Sequence, residues 1–593
     1  MRKTLILVLV AAGVLLGTGA IESQQNGEDA KFAKFVDTFL DAYWKFYPTA
    51  GTMNGFAKYN DKLEDLAESN IEKYLASLDK FNAELVNKIA KDKLSPETQI
   101  DLDLVRNLID FDQYRLEKIA PQLLNPLYYS EILYYSLAGL LANDVNDAKL
   151  KAATERLKAI PGFVKQAKEN LKTPPKEYTD AAAKQAAVLL DYYKTELPKA
   201  ADKGGAEAKS KFQAEYAKAV AAVDDYAKFL SGELQGKSTG NVRFGPEAHQ
   251  RTLQVRTGHT MMLNDLNAIA TADTKNIRNE MFKTCFAYYK IMDPNFDIEN
   301  PAEYPANLKN DQNALTNAVV QHVLDKIKSN QPAKTEWAAK IKSAAADIKA
   351  FLGKTKILDF PDQELAFDLL PPFERGYALG RLAGPAPYDK SASFTYLLNP
   401  YADALAADQQ ASFMEEFTNY MIPMWTVRNV YPGCFFPAAF TSKDASIPRK
   451  LSPNAALQAG WPLYIQDMFI YAGLNNYDLK QRLMELKLKL QAVIDFQVDV
   501  SFHEGNKTDK DRAIKLMTET GFQTQAEAER KWNLIVLHPG AASYAYIGYQ
   551  EILEMEKNFK SAKGDQFNKK DFARKLLNYG SLPFRFLKDK VAQ

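Results

Sequence analysis

Histidine and cysteine are scarce in this chain, five and two among 593 residues. A metal site or a catalytic thiol therefore has few side chains to be built from. An excess of one charge is also missing. Lysine and arginine number 75 against 74 aspartates and glutamates, a formal net charge of +1. Without a positive surplus there is no long-range field to hold a phosphate backbone, so no nucleic-acid partner is expected. No G-x-x-x-x-G-K-[ST] loop and no G-x-S-x-G elbow occurs, which removes a nucleotide cradle and a serine-hydrolase turn. The zincin helix H-E-x-x-H is absent too. Its one partial match, His503-Glu504, runs into Gly505, Asn506 and Lys507. The second imidazole is missing, and the glycine predicts a loop there. After the N-terminus no apolar run nears the ~20 residues that a membrane-spanning helix needs.

What is present begins with an export signal. Arg2 and Lys3 precede the apolar stretch Thr4 to Leu16, and Gly17-Thr18-Gly19-Ala20 supplies small residues before a polar run. That order predicts a secretory signal cut near Ala20, the alternative being an uncleaved anchor. No cysteine follows the small residues, so a lipid anchor has no acceptor. The mature chain is expected to be exported, periplasmic or secreted, with no membrane association beyond the signal. In such a compartment Cys285 and Cys434 either form one bridge or remain two separate buried thiols.

The composition, 46% hydrophobic and 25% charged, is that of a globular protein. Phe35, Phe39, Ala42, Tyr43 and Phe46 recur at helical spacing. Pro48 to Asn60 reads as a turn-rich break, and Ser95-Pro96-Glu97 as a capped helix start. Residues 150–231 are rich in Ala, Lys, Glu and Leu and predict helical hairpins broken at Pro161, Pro174-Pro175, Pro198 and Gly204-Gly205. Pro294, Pro301 and Pro305 mark a loop, and Trp337 to Leu352 a further helix. Strands are predicted within Ile357 to Leu370, which ends at Pro371-Pro372, and Ser393 to Leu398, which ends at Asn399-Pro400. Helices resume from Ala407. The fold expected is mainly α with a small sheet.

Several segments, in order, resemble a bacterial family. They are Tyr47-Pro48 to Tyr59, Phe244-Gly245-Pro246-Glu247, Tyr431-Pro432-Gly433, Gly460-Trp461 with Leu463-Tyr464, Asp499 to His503, Pro539 to Tyr544 with Gly548, and Phe572 to Leu587. Together they resemble the domain of unknown function 885 family, a zincin-like group related to metallopeptidases. The resemblance implies a single large domain over 28–593 after a signal peptide at 1–20. It would have a mostly helical part, 28–352, and a degenerate zincin-like part, 353–593, with the small sheet beside the active-site cleft.

The departures from the family pattern concern the metal. Aligned on Pro432-Gly433, the pattern H-E-x-x-P-G-H-H has Arg428 for its first His, Asn429 for its Glu, and Cys434 and Phe435 for its later pair. The Glu that opens the second metal segment is Ala459. Zinc is implied for active relatives, whereas a guanidinium cannot ligate an ion and Asn429 cannot take a proton from water. No metal, cofactor or catalytic residue is therefore expected here. The expected function is that of an exported pseudo-peptidase holding a peptide or protein segment in a metal-free cleft. Trp461, Tyr464, His503 and Tyr544 are its candidate ligand-binding residues, and core packing is the alternative for each. Rival readings are an active peptidase with relocated ligands such as His503, Glu504, His538 and Cys434, or a helical scaffold that binds through its outer helices.

Overall fold

A computed structural model describes residues 27–142, 144–292, 311–389, 393–442, 445–505, 508–580 and 582–592. The signal segment and the loop of Pro294, Pro301 and Pro305 lie outside the described residues. Helices make up 76% of the structure, with one three-stranded sheet among the described residues. The chain forms two compact units.

The first unit comprises the described residues up to Asn241, with Ala386–Asp389 and Ser446–Ser452. Its long helices are α1 (27–46), α2 (Glu68–Lys88), α3 (Pro96–Tyr114), α4 (Pro126–Leu141), α5 (Asp147–Asn170), α6 (Lys176–Ala201) and α7 (Ala206–Ser231). Helix α3 starts as its sequence predicts: Pro96 takes the first turn and the Ser95 hydroxyl accepts from Thr98 N–H. The breaks expected at Pro161 and Pro198 do not occur, since Pro161 lies inside α5 and Pro198 inside α6. Pro161 itself is exposed, on the face of α5 away from the packed Leu157 and Ile160. The turn-rich segment after Tyr47 contains a short helix, Pro48–Met53, and is held by Arg156 from α5. This fully buried guanidinium donates to the Lys62 carbonyl at 2.8 Å and the Thr52 hydroxyl at 2.6 Å. A buried charge with five donors is tolerated because backbone oxygens surround it.

The second unit holds the described residues of 242–385, 390–445 and 453–593. It contains α8 (Pro246–Thr257), α9 (Leu263–Met292), α10 (Gln312–Ile327) and α11 (Trp337–Thr355). The sheet follows: β1 (Leu365–Leu369), β2 (Gly380–Ala383) and β3 (Phe394–Leu398), in the order β1-β3-β2. Strand β1 pairs with β3 in parallel, Phe367 opposite Tyr396, and β2 pairs with it antiparallel, Leu382 opposite Tyr396. Then come α12 (Ala407–Glu416), α13 (Met421–Asn429), α14 (Phe435–Ser442), α15 (Ala455–Tyr471), α16 (Leu479–His503), α17 (Gln525–Leu537), α18 (Tyr544–Lys563) and α19 (Lys569–Asn578).

Two packing features position the site. Helices α15 and α18 meet at backbone distance, because Gly460 faces Gly548. A Cβ on Gly548 would lie 1.8 Å from the Ala456 carbonyl oxygen. Helix α16 is buried on every side although Gln481, Glu485, Lys487, Lys489, Gln491, Asp499 and His503 lie along it. Such a helix is stable only if its polar groups find partners inside the protein. Lys489 pairs with Asp467 at 2.6 Å and Glu485 at 2.9 Å, and Lys487 with Glu416 at 2.9 Å. The loop expected at His503 is corrected: His503 is the last residue of α16 and is buried, and the chain leaves the helix only at Glu504. The imidazole there is held by partners on three segments, which outweighs the preference of the following glycine for a turn.

Candidate functional site

The placement of Arg428, Asn429 and Cys434, expected to stand at metal positions, follows from the turn between α13 and α14. Gly433 is forced by close approach, since a Cβ there would sit 1.8 Å from the Arg428 carbonyl oxygen. The turn brings Cys434 back beside the Arg428 side chain, and the two interact electrostatically. The half-buried guanidinium donates one hydrogen bond, from Nη1 to the Leu488 carbonyl at 2.9 Å, and feels the carboxylates of Asp495 and Glu527. Burial pushes the Cys434 thiol up to about 11, against the pull of Arg428, so the sulfur stays protonated near neutral pH. Asn429 turns away and donates to the Trp425 carbonyl of its own helix at 3.0 Å. Ala459, on α15, contributes only a methyl group.

Around Arg428 lies a polar network. Arg530 holds Glu527 through two bonds of 2.7 and 2.6 Å and donates to the Tyr377 carbonyl. Lys531 pairs with Asp495 at 2.9 Å and donates to Gln491, whose amide donates to Glu416 at 2.8 Å. Arg428, Lys487, Arg530 and Lys531 face Asp495, Glu416 and Glu527, four cations to three carboxylates. Arg428 is the cation without a carboxylate in hydrogen-bond contact.

A zinc ion does not fit these residues. One position is a fixed cation and one a methyl group, which leaves Cys434 as a single donor where three are needed. No group of three or more His, Cys, Asp or Glu side chains among the described residues is arranged to hold a metal. Cys285 and Cys434 are both free thiols, which settles the open choice between a bridge and separate cysteines.

The four candidate ligand-binding residues fall into two groups. Trp461 and Tyr464 are buried 5.9 Å apart on α15. The Tyr464 ring packs against Phe572, with Lys569 Nζ 4.8 Å above it. His503 and Tyr544 instead belong with a cluster that the residue patterns did not reveal. His249 lies fully buried on α8, its ring stacked on His503 at 5.2 Å. Its Nδ1–H donates to Glu504 at 2.8 Å and its Nε2–H to Asp499 at 3.1 Å. Burial opposes the charge of His249, but the two carboxylates raise it to about 9, so it is an imidazolium at neutral pH. Asp499 also accepts from Gly540 N–H at 3.1 Å and from the Ser543 hydroxyl. Although burial disfavours its charge, these donors and His249 hold Asp499 below its ordinary value. His503 is pushed down by burial. Its Nε2–H donates to the Ile535 carbonyl at 3.0 Å, leaving Nδ1 to accept from Phe244 N–H at 3.4 Å. Tyr544 lies near Asp499 and Arg256 and is pushed up by burial. Asp499 and His503, four apart on one helix face, were visible as a motif; His249 lies just past the quoted Phe244–Glu247 segment, and nothing local marks it.

Fold and site together define a large, mainly helical protein with a small mixed sheet and a buried polar helix at the centre of its second unit. The chain belongs to the bacterial protein family of unknown function DUF885, whose model matches residues 48–591. It is similar in structure to a putative lipoprotein of unknown function from Shewanella oneidensis. That match has a TM-score of 0.78 and 22% identity, and covers 95% of this chain and 100% of the other. A putative lipoprotein from Colwellia psychrerythraea matches with a TM-score of 0.72 and 15% identity over 95% of this chain and 98% of its own. No curated protein matches the sequence. At these identities the likeness is one of fold. No helix among the described residues is long and apolar enough to cross a membrane.

Proposed function

We propose that the protein is an exported, non-catalytic member of its zincin-like family that binds a peptide or protein segment at the metal-free place around Arg428. Export is supported by the charged–apolar–small order of residues 2–20, with cleavage near Ala20, and by the description of both structural neighbours as putative lipoproteins. The observation that carries the binding role is Arg428. Its guanidinium spends one hydrogen bond on Leu488 within a network that holds one more cation than carboxylate. A planar fork of donors with positive charge to spare suits a carboxylate such as a peptide C-terminus. Catalysis is disfavoured because no residue at the aligned positions can activate water.

The test is fluorescence anisotropy with labelled short peptides carrying a free or an amidated C-terminus. Free-carboxylate peptides are expected to bind more tightly, by about tenfold, and Arg428→Met to erase that preference while Arg428→Lys retains part of it. Equal binding of both peptide forms would overturn the role of Arg428. Stoichiometric zinc in protein purified without chelator, together with peptide hydrolysis, would overturn the non-catalytic reading.

A further inference from the structure

The sheet of the second unit has two open edges, and they differ. Among the described residues β3 lies between β1 and β2, and no strand lies outside either. A bare edge is a template for another chain, so proteins commonly blunt it with proline, charge, a bulge or brevity. The β2 edge is blunted. It is four residues long, includes Gly380 and Arg381, and runs into Gly384-Pro385. Strand β1 reads Leu-Ala-Phe-Asp-Leu and holds no proline, glycine or lysine. It runs in one register beside β3 with no bulge. Pro361 and Pro371-Pro372 lie beyond its ends and confine any pairing to the strand itself.

The hydrogen bonds identify the groups that face outward. Alternate residues of a strand bond to one neighbour, and the residues between them face the other side. Leu370 N–H, one step past β1, donates to the Leu398 carbonyl at 2.8 Å. Counting back in twos, Ala366 and Asp368 also bond to β3. The N–H and C=O groups of Leu365, Phe367 and Leu369 therefore point away from the sheet. One of them is occupied, since Leu369 N–H donates to Asp368 Oδ1 at 2.8 Å. No backbone group of another described segment bonds to the rest. The same three side chains share one face by strand alternation. Leu369 is 50% exposed, and Leu365 and Phe367 are half-buried.

We infer that two copies of this chain associate by pairing β1 with β1, antiparallel and centred on Phe367. The occupant follows from self-complementarity. In that register Leu365 meets Leu369 of the second copy, Phe367 meets Phe367, and Leu369 meets Leu365. All three positions offer outward N–H and C=O groups, so about six hydrogen bonds form. Releasing Leu369 N–H from Asp368 is the cost of one of them. Leucine and phenylalanine face leucine and phenylalanine across the seam. On the other face Asp368 lies opposite Ala366, so no two acids stand directly across from each other. The arrangement is twofold and closes as a dimer. Pairing β1 with the β2 edge would instead be head-to-tail and would use the blunted strand. The contact is small beside the ~1,600 Å² of a standard interface, so the dimer is weak, half-formed at about 50 µM. The inference goes beyond the carboxylate role of Arg428 and does not depend on it.

The experiment is sedimentation velocity of the whole exported chain from about 1 to 200 µM, with hydrogen exchange at both ends of that range. The sedimentation coefficient is expected to rise from monomer to dimer, and the Leu365 and Phe367 amides to gain protection only at the high end. Phe367→Pro removes an N–H that faces out of the sheet, so the strand tolerates it while the dimer loses its centre. Leu369→Lys, at a half-exposed position, blunts the edge without touching the β3 bonds. Each is expected to weaken association at least about tenfold. Leu382→Lys on β2 and Arg428→Met are expected to leave it unchanged, and the second separates this result from failure of the carboxylate role. A monomer throughout, a dimer that survives both β1 variants, loss of the dimer in Leu382→Lys, or open-ended assemblies would each overturn the inference. So would a synthetic peptide of residues 364–370 that binds a chain which never dimerises, since the edge would then serve a different strand.

Discussion

At the scale of single residues, His249 makes the most consequential choice of protonation state. Its value in the folded protein, about 9, lies above the ordinary 6.5. Its contribution to stability is therefore complete below pH 6.5 and is lost as pH rises through about 9, and the shift corresponds to about 3 kcal/mol. Asp499 has the opposite sign: held below 3.8, it contributes above that value and gives way in acid. Urea midpoints measured across pH are expected to fall more steeply between 6.5 and 9 for the wild type than for His249→Gln. Parallel curves for the two proteins would remove His249 from the explanation. The residue is also a lesson in legibility. Asp499 and His503 form a local pattern on one helix, while His249, the partner that holds Asp499 ionised, lies about 250 residues earlier. Only the folded chain brings it there.

At the scale of elements, two motif glycines acquire a physical meaning. Gly460 and Gly548 were recognisable as family marks beside Trp461 and Tyr544. The structure shows them as the place where α15 and α18 touch backbone to backbone. Gly548→Ala is expected to cost about 3 kcal/mol, read as a lowered urea midpoint at unchanged slope. Gly353→Ala is the matched control. It lies on the exposed side of α11 with nothing within 4 Å of the added methyl, and should stabilise by up to about 1 kcal/mol.

Strands β1 and β3 could be read from aromatic and β-branched runs that stop at proline or Asn-Pro. Strand β2, four residues reading Gly-Arg-Leu-Ala, could not, because its extended form is owed to pairing with β3 and not to local propensity. The prolines at 161 and 198 misled for the converse reason: a helix supported by tertiary packing keeps its course through one missing hydrogen bond.

At the scale of the whole molecule, the path of the chain matters more than its composition. The first unit is completed by two short returns, four residues at Ala386–Asp389 and seven at Ser446–Ser452. Tyr388 accepts a hydrogen bond from the Trp44 indole at 3.2 Å, and Arg449 holds Asp101 at 2.7 Å and Glu97 at 2.7 Å. Segments this short carry no compositional signal, so the division of the chain is visible only in three dimensions. Arg449→Ala leaves the mostly buried Asp101 carboxylate without its partner and is expected to cost about 1–2 kcal/mol in the full chain, measured by denaturant titration.

The His249 clamp has a consequence wherever the surroundings set the acidity. Its imidazole already carries its proton at neutrality, so souring of the medium by a unit or two adds nothing to it. This junction of helix ends is deaf to such a change.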